Sequence, residues 1–315
     1  MSRKITIIGA GNVGATIAYT LSQEHLASEI VLIDIDKKKL LGEVMDIAQG
    51  TGFRDPISIV AGDYEDAKDS DIVIITSGVA RKPGQTRIEL VQTNVDIIKD
   101  ITPKIVSQAP DALYIIVSNP VDIITYVFTK ISGLPERQVI GSGTLLDTTR
   151  LRSTLADFFN VSQKNIHAYV FGEHGDSSFV PWSRCEVSGS EFDAYVDLMY
   201  SQGKIATRPN KIEITEQIHT SGSRIIANKG ATYYAVSVAI CRICSMLLAA
   251  YDSIVTVSSM MHGEYGIDDV CISTLSLMGP KGIVGKVPVK LTKYEIAQLQ
   301  ASANKLKDVI AQIKI

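Results

Sequence analysis

Three side chains near the middle of the chain could transfer a proton and bind an anion. His174 follows an apolar stretch in the glycine-flanked segment "GEHGD", so its imidazole is sterically open and could exchange a proton near neutral pH. Asp147 in "GTLLDTTR" is a candidate for the carboxylate that holds the ring and stabilises its charged form. Arg150 can share a helical face with Asp147 and bind a small carboxylate through its planar guanidinium. A loop histidine and a helix-capping aspartate are the alternatives for His174 and Asp147.

A second group of cations lies in "GVARKPGQTR", which places Arg81, Lys82 and Arg87 around a Pro-Gly pair. Arg87 lies where the loop enters a helix, so its side chain could reach a polarised carbonyl group. Lys82 is best explained as a solvated charge beside the Pro-Gly hinge. A solvated face is the alternative for a solitary arginine.

The stretch "ITIIGAGNVGATIA" has the G-x-G-x-x-G spacing of a dinucleotide-binding turn between a strand and a helix. Gly9 permits the tight turn, Gly11 lets a pyrophosphate approach the backbone, and Gly14 lets helix and strand pack closely. The phosphates would then lie at the helix N-terminus, where free N–H groups and the helix dipole favour anions. The predicted cofactor-binding residues of this turn are Gly9, Gly11, Asn12, Val13 and Gly14.

Two further polar residues follow later strands. Asp34 ends "VLIDI", where a carboxylate can accept bonds from the adenine-ribose hydroxyls and would repel a 2′-phosphate, so we expect NAD rather than NADP. Asn119 in "SNPVD" lies at the carboxyl end of a strand and could hydrogen-bond a nicotinamide or a substrate oxygen. The alternatives are a solvated aspartate beside a structural glycine turn and an asparagine in a turn before a helix.

The elements that would position these residues alternate regularly in the first half of the chain. Short apolar runs such as "EIVLIDI" and "DIVIITSG" alternate with helical patterns. Strands that are apolar on both faces, with helices between them, predict an α/β fold with a doubly wound parallel sheet of the Rossmann type. The second half mixes short antiparallel patterns with long helices, which predicts an α+β substrate domain. We expect an NAD-binding domain over residues 1–146 and a catalytic domain over 147–315.

Composition argues against several classes of protein. The chain has 315 residues and a net charge of −3, which gives no reason to expect nucleic acid or an anionic membrane as a partner. No apolar run reaches the roughly 18 residues of a membrane span, and the N-terminus lacks the pattern of a signal peptide. Cys241 and Cys244 lie in a predicted buried helix without a second Cys or His pair, so we expect neither a metal site nor a redox role. A reducing cytoplasm is therefore the expected location.

Eight motifs that span nearly the whole chain occur together, and in this order, in one known family. They are "GAGNVG", "VLIDI", "GVARKPGQTRIELVQTNV", "SNPVDIIT", "VIGSGTLLDTTRLR", "HAYVFGEHGDSSFVPWS", "NKGATYYA" and "GEYGIDDV". On these motifs the chain resembles the L-lactate dehydrogenases and the malate dehydrogenases similar to them. The resemblance implies hydride transfer between NAD and a short 2-oxo or 2-hydroxy acid, coupled to proton transfer.

The resemblance also implies a role for each candidate residue. His174, paired with Asp147, would donate and accept the proton, and Arg150 would clamp the substrate carboxylate. Arg87, on a loop that closes over the site, would polarise the carbonyl, and Asn119 would hydrogen-bond near the reacting oxygen. Loop closure would expel water and strengthen the field of Arg87.

The resemblance gives mixed indications about the substrate. Lactate-specific members carry a neutral Gln where this chain has Arg81, whereas malate-specific members carry Arg. An arginine there would compensate the second carboxylate of oxaloacetate and would be left unpaired with pyruvate. The rest of the chain is most similar to bacterial lactate dehydrogenases, and Thr232 matches the lactate-type residue that lines the side-chain pocket. Because Arg81 would meet the substrate, we expect oxaloacetate and L-malate, with pyruvate and L-lactate as the alternative.

Two further implications concern regulation and assembly. Arg152 and His167 match the pair that binds fructose 1,6-bisphosphate in allosteric lactate dehydrogenases, with two surface residues near a subunit contact as the alternative. The family forms homo-oligomers, and an allosteric site would favour a tetramer over a dimer. A non-catalytic NAD-binding protein is the alternative from another functional class.

Overall fold

The computed structural model describes residues 3–53, 57–79, 84 and 86–315. Its first half alternates strands and helices as the hydrophobic pattern predicts. Strands such as "IVII" are buried along their whole length, because helices cover both faces of the sheet. The elements are β1 (Lys4–Ile8), α1 (Asn12–Glu24), β2 (Glu29–Ile33), α2 (Lys37–Thr51), β3 (Ser58–Ala61), β4 (Ile72–Ile75), α3 (Arg87–Gln108), β5 (Leu113–Ile116), α4 (Val121–Ser132) and β6 (Val139–Gly141).

The second half contains the longest strands and five helices among the described residues. Its elements are α5 (Leu145–Phe159), β7 (Ile166–His167), β8 (Glu186–Val187), β9 (Ser190–Glu191), α6 (Phe192–Ser201), α7 (Lys211–Lys229), α8 (Tyr234–Leu247), β10 (Ser253–His262), β11 (Asp268–Gly279), β12 (Gly282–Lys286) and α9 (Lys293–Ile310). The stretches "NIHAYVFGEHGD" and "PWSRCEVSG", which have antiparallel strand patterns, contain only the two-residue strands β7 and β8, and these form a small separate sheet with β9.

The main sheet has the strand order β12-β11-β10-β6-β5-β4-β1-β2-β3. Strands β1 to β6 are parallel in the order of a doubly wound dinucleotide-binding fold, which confirms the predicted fold class. The second half adds an antiparallel extension, since β10 pairs with β6 through Ser258 and Gly141. The two halves therefore share one sheet as well as an interface.

The side chains of the parallel strands alternate between two buried cores. Ile8 and Ile75 point to the face covered by α3, α4 and α9. Ile7 and Ile74, one residue earlier, point to the face covered by α1, α2 and α8. This alternation follows from the two-residue period of a strand. Because β1, β2, β4 and β5 run parallel, their carboxyl ends lie along one edge of the sheet, where ligands bind in doubly wound folds.

Candidate active site

The glycine-rich turn joins β1 to α1 at this edge. Gly9 has φ +104°, and a Cβ there would lie 2.7 Å from Thr76 Oγ1. A Cβ on Gly14 would lie 1.8 Å from the carbonyl oxygen of Gly9, so only glycine allows this approach of helix to strand. Gly11 would meet no atom within 4 Å and leaves open space beside the turn. Each glycine thus fits the geometric part assigned to it in a dinucleotide-binding turn.

The N-terminus of α1 is open to an anion. Gly11 is the N-cap and provides no side-chain hydrogen bond to the first turn, which begins with Asn12 and Val13. The first N–H groups of a helix have no intrahelical acceptor, so a phosphate at this position would satisfy them. This arrangement fits the pyrophosphate of a dinucleotide.

Asp34 lies just beyond the end of β2, beside the glycine turn. Its Oδ2 accepts a hydrogen bond from Ala10 N at 2.6 Å, and its Oδ1 accepts one from Asp36 N at 2.9 Å. A cavity of about 740 Å³ is lined by Gly9, Gly11 and Asp34 together with residues from α3 and the end of β4. The turn, the carboxylate and the cavity together fit NAD, with the adenosine ribose beside Asp34.

The carboxyl end of β4 contributes cavity residues that were not predicted from the sequence. Thr76, Ser77 and Gly78 line the same cavity. The available signal was their position after a parallel strand, which is also what pointed to Asp34 and Asn119.

His174, Asp147 and Arg150 come together in a cluster, called here the histidine cluster. The Nδ1 of His174 lies 2.6 Å from Asp147 Oδ2, and Arg150 Nη1 donates to Asp147 Oδ1 at 2.9 Å. Asp147 and Arg150 are three residues apart on α5, so they share one face of the helix. His174 reaches them from the segment after Phe171, which bridges to Phe179.

Electrostatics in the histidine cluster favour an imidazolium beside a carboxylate. Burial alone would lower the pKa of His174, but the charge and hydrogen bond of Asp147 raise it above its ordinary value. Burial alone would raise the pKa of Asp147, but His174 and then Arg150 lower it below its ordinary value. The cluster can therefore hold a proton on His174 while Asp147 stays ionised, and Arg150 can bind an anion next to it.

Arg87 begins α3 and lies beside Glu173, the residue before His174. Its Nη2 donates to Glu173 Oε1 at 2.7 Å, although 61% of its side chain is exposed. Thr86 and Glu89 form a capping box that fixes this end of α3. Arg81 and Lys82 lie outside the described residues.

Asn119 and Thr232 occupy segments beside α4 and α8. The backbone carbonyl of Asn119 accepts a hydrogen bond from Asn94 Nδ2 at 2.8 Å. Asn119 is an exposed residue. Thr232 is half-buried in the connection between α7 and α8.

Arg152 on α5 lies near His167, which ends β7. Arg152 Nε donates to the carbonyl oxygen of Ala168 at 3.0 Å, and its guanidinium lies over the ring of Tyr169 at 5.3 Å. His167, the last residue of β7, directly precedes Ala168 and is exposed. No carboxylate among the described residues forms an ion pair with Arg152.

Three remaining sequence predictions concern the cysteines of α8, metal-binding groups and membrane-spanning helices. Cys241 and Cys244 are free thiols buried in α8. Within the described residues, no group of three or more His, Cys, Asp or Glu side chains could hold a metal ion. In the same part of the chain, no helix has the length and apolar character needed to cross a membrane.

Two family models match the chain. One, described as the lactate/malate dehydrogenase NAD binding domain, matches residues 3–141. The other, described as the lactate/malate dehydrogenase alpha/beta C-terminal domain, matches residues 144–314.

Individual relatives are similar over nearly their whole length. The chain is 46% identical over 313 residues to an L-lactate dehydrogenase of Acetivibrio thermocellus, covering 99% of this chain and 98% of the relative. It is also 46% identical over 312 residues to an L-lactate dehydrogenase of Thermoanaerobacter sp., covering 99% of both. Among solved structures, a ligand-bound minor L-lactate dehydrogenase from Enterococcus mundtii matches with a TM-score of 0.94 and 34% identity, over 100% of this chain and 99% of that chain.

Proposed function

This chain belongs to the lactate/malate dehydrogenase family and is an NAD-dependent dehydrogenase, and we propose that its substrate pair is pyruvate and L-lactate. The names of the curated relatives and of the similar solved structure support pyruvate better than they support oxaloacetate. The observation that carries the catalytic part of the proposal is the histidine cluster.

Arg150 binds the carboxylate of the substrate in this proposal. One terminal nitrogen of its guanidinium bonds to Asp147, and the remaining N–H donors can bind an incoming carboxylate. Since the side chain of Arg150 is only 17% exposed, the charge is held in place before the substrate arrives. The substrate carbonyl then lies beside His174.

His174 transfers the proton in this proposal. Asp147 holds its Nδ1, so Nε2 faces the carbonyl oxygen, to which it gives a proton on reduction and from which it regains one on oxidation. When bound, NADH supplies the hydride for the carbonyl carbon. Arg87 polarises the carbonyl, Asn119 hydrogen-bonds near the reacting oxygen, and Thr232 lines the pocket for the methyl group.

Steady-state kinetics with pyruvate and with oxaloacetate test the substrate assignment. We expect kcat/KM for NADH-dependent reduction of pyruvate to exceed the value for oxaloacetate. A tenfold preference for oxaloacetate would reject pyruvate as the substrate. If a panel of 2-oxo acids produced no NADH oxidation, the protein would instead be a non-catalytic NAD-binding member of the fold.

Oxaloacetate and L-malate are the second candidate pair, and Arg81 is the observation that favours them. A cation at that position would pair with the second carboxylate of oxaloacetate and would be enclosed without a partner over pyruvate. The Arg81→Gln variant tests this point. If Arg81 meets the substrate, the ratio of kcat/KM for pyruvate to that for oxaloacetate should rise about 10- to 100-fold. Lys82→Gln is the matched control and should leave the ratio unchanged.

Arg152 and His167 are proposed to bind the phosphates of fructose 1,6-bisphosphate between subunits of a homotetramer. The guanidinium of Arg152 has no ion pair among the described residues and bonds to the carbonyl oxygen of Ala168, the residue after His167, which supports a site for an anion. Pyruvate kinetics with and without fructose 1,6-bisphosphate test the site, and sedimentation under both conditions tests the assembly. An Arg152→Gln variant should lose any activation while its kinetics without the bisphosphate stay unchanged.

A further inference from the structure

Asp122 is a buried carboxylate that contacts the backbone of His174. It is the second residue of α4 and only 2% exposed. Its Oδ2 accepts a hydrogen bond from the backbone N–H of His174 at 2.7 Å. No role has been given to it so far, although it ends the "SNPVD" motif that contains Asn119.

The backbone leading to His174 is anchored residue by residue. Gly172 N donates to the carbonyl oxygen of Ser273 on β11 at 3.0 Å, and Glu173 N donates to Ser302 Oγ on α9 at 2.9 Å. The third consecutive N–H, that of His174, is held by Asp122 on α4. Asp122 is therefore the only one of the three anchors that carries a charge, and it binds at the residue that exchanges the proton.

We propose that Asp122 is a positioning residue for proton transfer, which holds the backbone of His174 and supplies a second negative charge that favours its imidazolium form. This assignment depends on the proton transfer proposed for His174. Asp147 bonds to the ring of His174 at Nδ1, whereas Asp122 bonds to its backbone N–H.

The surroundings of Asp122 show why its charge is linked to His174. Its Oδ1 and the Oγ of Ser258 are both buried, and neither has a partner with hydrogen-bond geometry among the described residues, although the Ser258 hydroxyl still favours the ionised form of Asp122. No described Lys or Arg forms an ion pair with it. Burial raises the pKa of Asp122 to about 6, while Ser258 and His174 act to lower it and Glu173 acts to raise it. A buried carboxylate is costly unless it is compensated, and protonated His174 is the cation placed to do so.

Four charged groups on three parts of the chain act around His174. Asp147 and Arg150 lie on α5, Asp122 lies on α4, and Glu173 precedes the histidine and is itself paired with Arg87. Burial and Arg150 lower the pKa of His174, whereas Asp147 and Asp122 raise it. Reduction of a 2-oxo acid needs protonated His174, so its rate falls as pH rises through that pKa. Neutralising Asp122 should move this fall to lower pH.

The Asp122→Asn variant keeps an acceptor oxygen for the N–H of His174 and removes the charge, with an NH2 group in place of the other oxygen. In the kcat/KM profile for reduction, we expect the basic limb to move down by about one pH unit. The acid limb of the oxidation profile should move in the same direction, because oxidation needs neutral His174. The KM for NADH should stay unchanged. If Asp122→Asn unfolds more easily but keeps both limbs in place, Asp122 is merely structural and the proposal is overturned.

Glu295→Gln is the matched control. Glu295 is another buried carboxylate, 5% exposed, which bonds to Ser183 and caps α9. Its loss should cost stability without moving either limb. A shift of the limbs in this variant equal to that in Asp122→Asn would make the effect nonspecific and overturn the proposal.

A direct titration separates this proposal from the proposed function. The ring of His174 can be titrated by NMR with isotopically labelled histidine, assigned through His174→Asn, without any substrate. A lower pKa of His174 in Asp122→Asn supports the proposal even if no 2-oxo acid is reduced, whereas an unchanged pKa overturns it. Should Asp122→Asn fail to fold, Ser258→Ala keeps the carboxyl group and removes a hydroxyl that stabilises its ionised form. The pKa of His174 should then fall as well, because Asp122 is less readily ionised, and an unchanged pKa of His174 contradicts the assignment.

Discussion

Arg150 and Arg87 are both assigned to the substrate, yet they lie in contrasting surroundings. Arg150 is on α5 with a side chain 17% exposed, and it bonds to a buried aspartate that also holds His174. Arg87 begins α3, follows the segment at residues 80–85, and has a side chain 61% exposed with Glu173 as its partner. The two guanidinium groups thus differ in how firmly the fold holds them before a substrate binds.

This difference separates two tasks in one site. The histidine cluster is preorganised, because each member is fixed by another and burial keeps water from weakening their interactions. Arg87 is largely exposed and has one carboxylate partner, Glu173, so its contribution depends on whether it keeps or leaves that partner when the substrate binds. Substitutions in the two regions should therefore affect activity and stability in different proportions.

The largest effect is expected at the centre of the histidine cluster. His174→Asn should lower kcat for pyruvate reduction by about 10²- to 10⁴-fold, because the positioned proton donor is lost. Binding of NADH, followed by its fluorescence, should be largely unchanged, since His174 does not line the cavity beside Asp34 and the glycine turn. A loss below tenfold would show that another group donates the proton.

The Arg150→Gln substitution should have the next largest effect on activity. Loss of a buried, hydrogen-bonded charge should lower kcat/KM by about 10³-fold, with a large rise in KM for pyruvate. The variant should also unfold more easily, by about 1–3 kcal/mol, because Asp147 loses a partner in a buried position. Urea unfolding of the unliganded protein measures the second effect, and an unchanged midpoint would mean that Arg150 is not part of the structural cluster.

The Arg87→Gln substitution should reduce activity strongly but stability only slightly. We expect kcat to fall by about 10²-fold through loss of one polarising donor. The free energy of unfolding should fall by about 1 kcal/mol or less, since the pair is exposed on the arginine side and the buried Glu173 keeps its hydrogen bond from Ser177. If this variant loses as much stability as Arg150→Gln, the contrast between the two arginines fails.

The local parts of both regions could be predicted from the sequence. The spacing of Asp147 and Arg150 indicated a shared helical face, and the glycine fingerprint indicated the turn between β1 and α1. Both rest on regularities within a few residues, which the chain expresses directly as helix and turn geometry. The parallel part of the sheet followed from the same kind of local pattern.

The long-range contacts could not be predicted in this way. The pairing of β10 with β6 joins Ser258 to Gly141, and Asp122 and His174 are 52 residues apart. Arg87 and Glu173 are 86 residues apart. No local pattern specifies such pairs, because they depend on how whole elements pack. The sequence could name His174 and Asp147 as candidates, but their 2.6 Å contact emerges only from the fold.

The pH dependence of wild-type activity tests the rigid region as a unit. Because Asp147 raises the pKa of His174, the fall in pyruvate reduction should begin above the ordinary histidine pKa of about 6.5. Beyond that pKa the rate should fall about tenfold per pH unit, while lactate oxidation should show the mirror dependence. If the rate of reduction already falls at a pH lower than about 6.5, burial outweighs Asp147 in setting the pKa of His174.

The smallest effect is expected at Glu173, and its sign decides how Arg87 works. If Arg87 must leave Glu173 to reach the carbonyl, Glu173→Gln removes a competitor and should raise kcat/KM for pyruvate. The gain should be at most about fivefold, because the pair is largely exposed on the arginine side and such pairs contribute about 1 kcal/mol or less. The measurement belongs well below the pKa of His174, where a change in the charge of the ring cannot contribute. A fall in kcat/KM would instead mean that Glu173 holds Arg87 in its working position, and that both arginines are preorganised by a buried carboxylate.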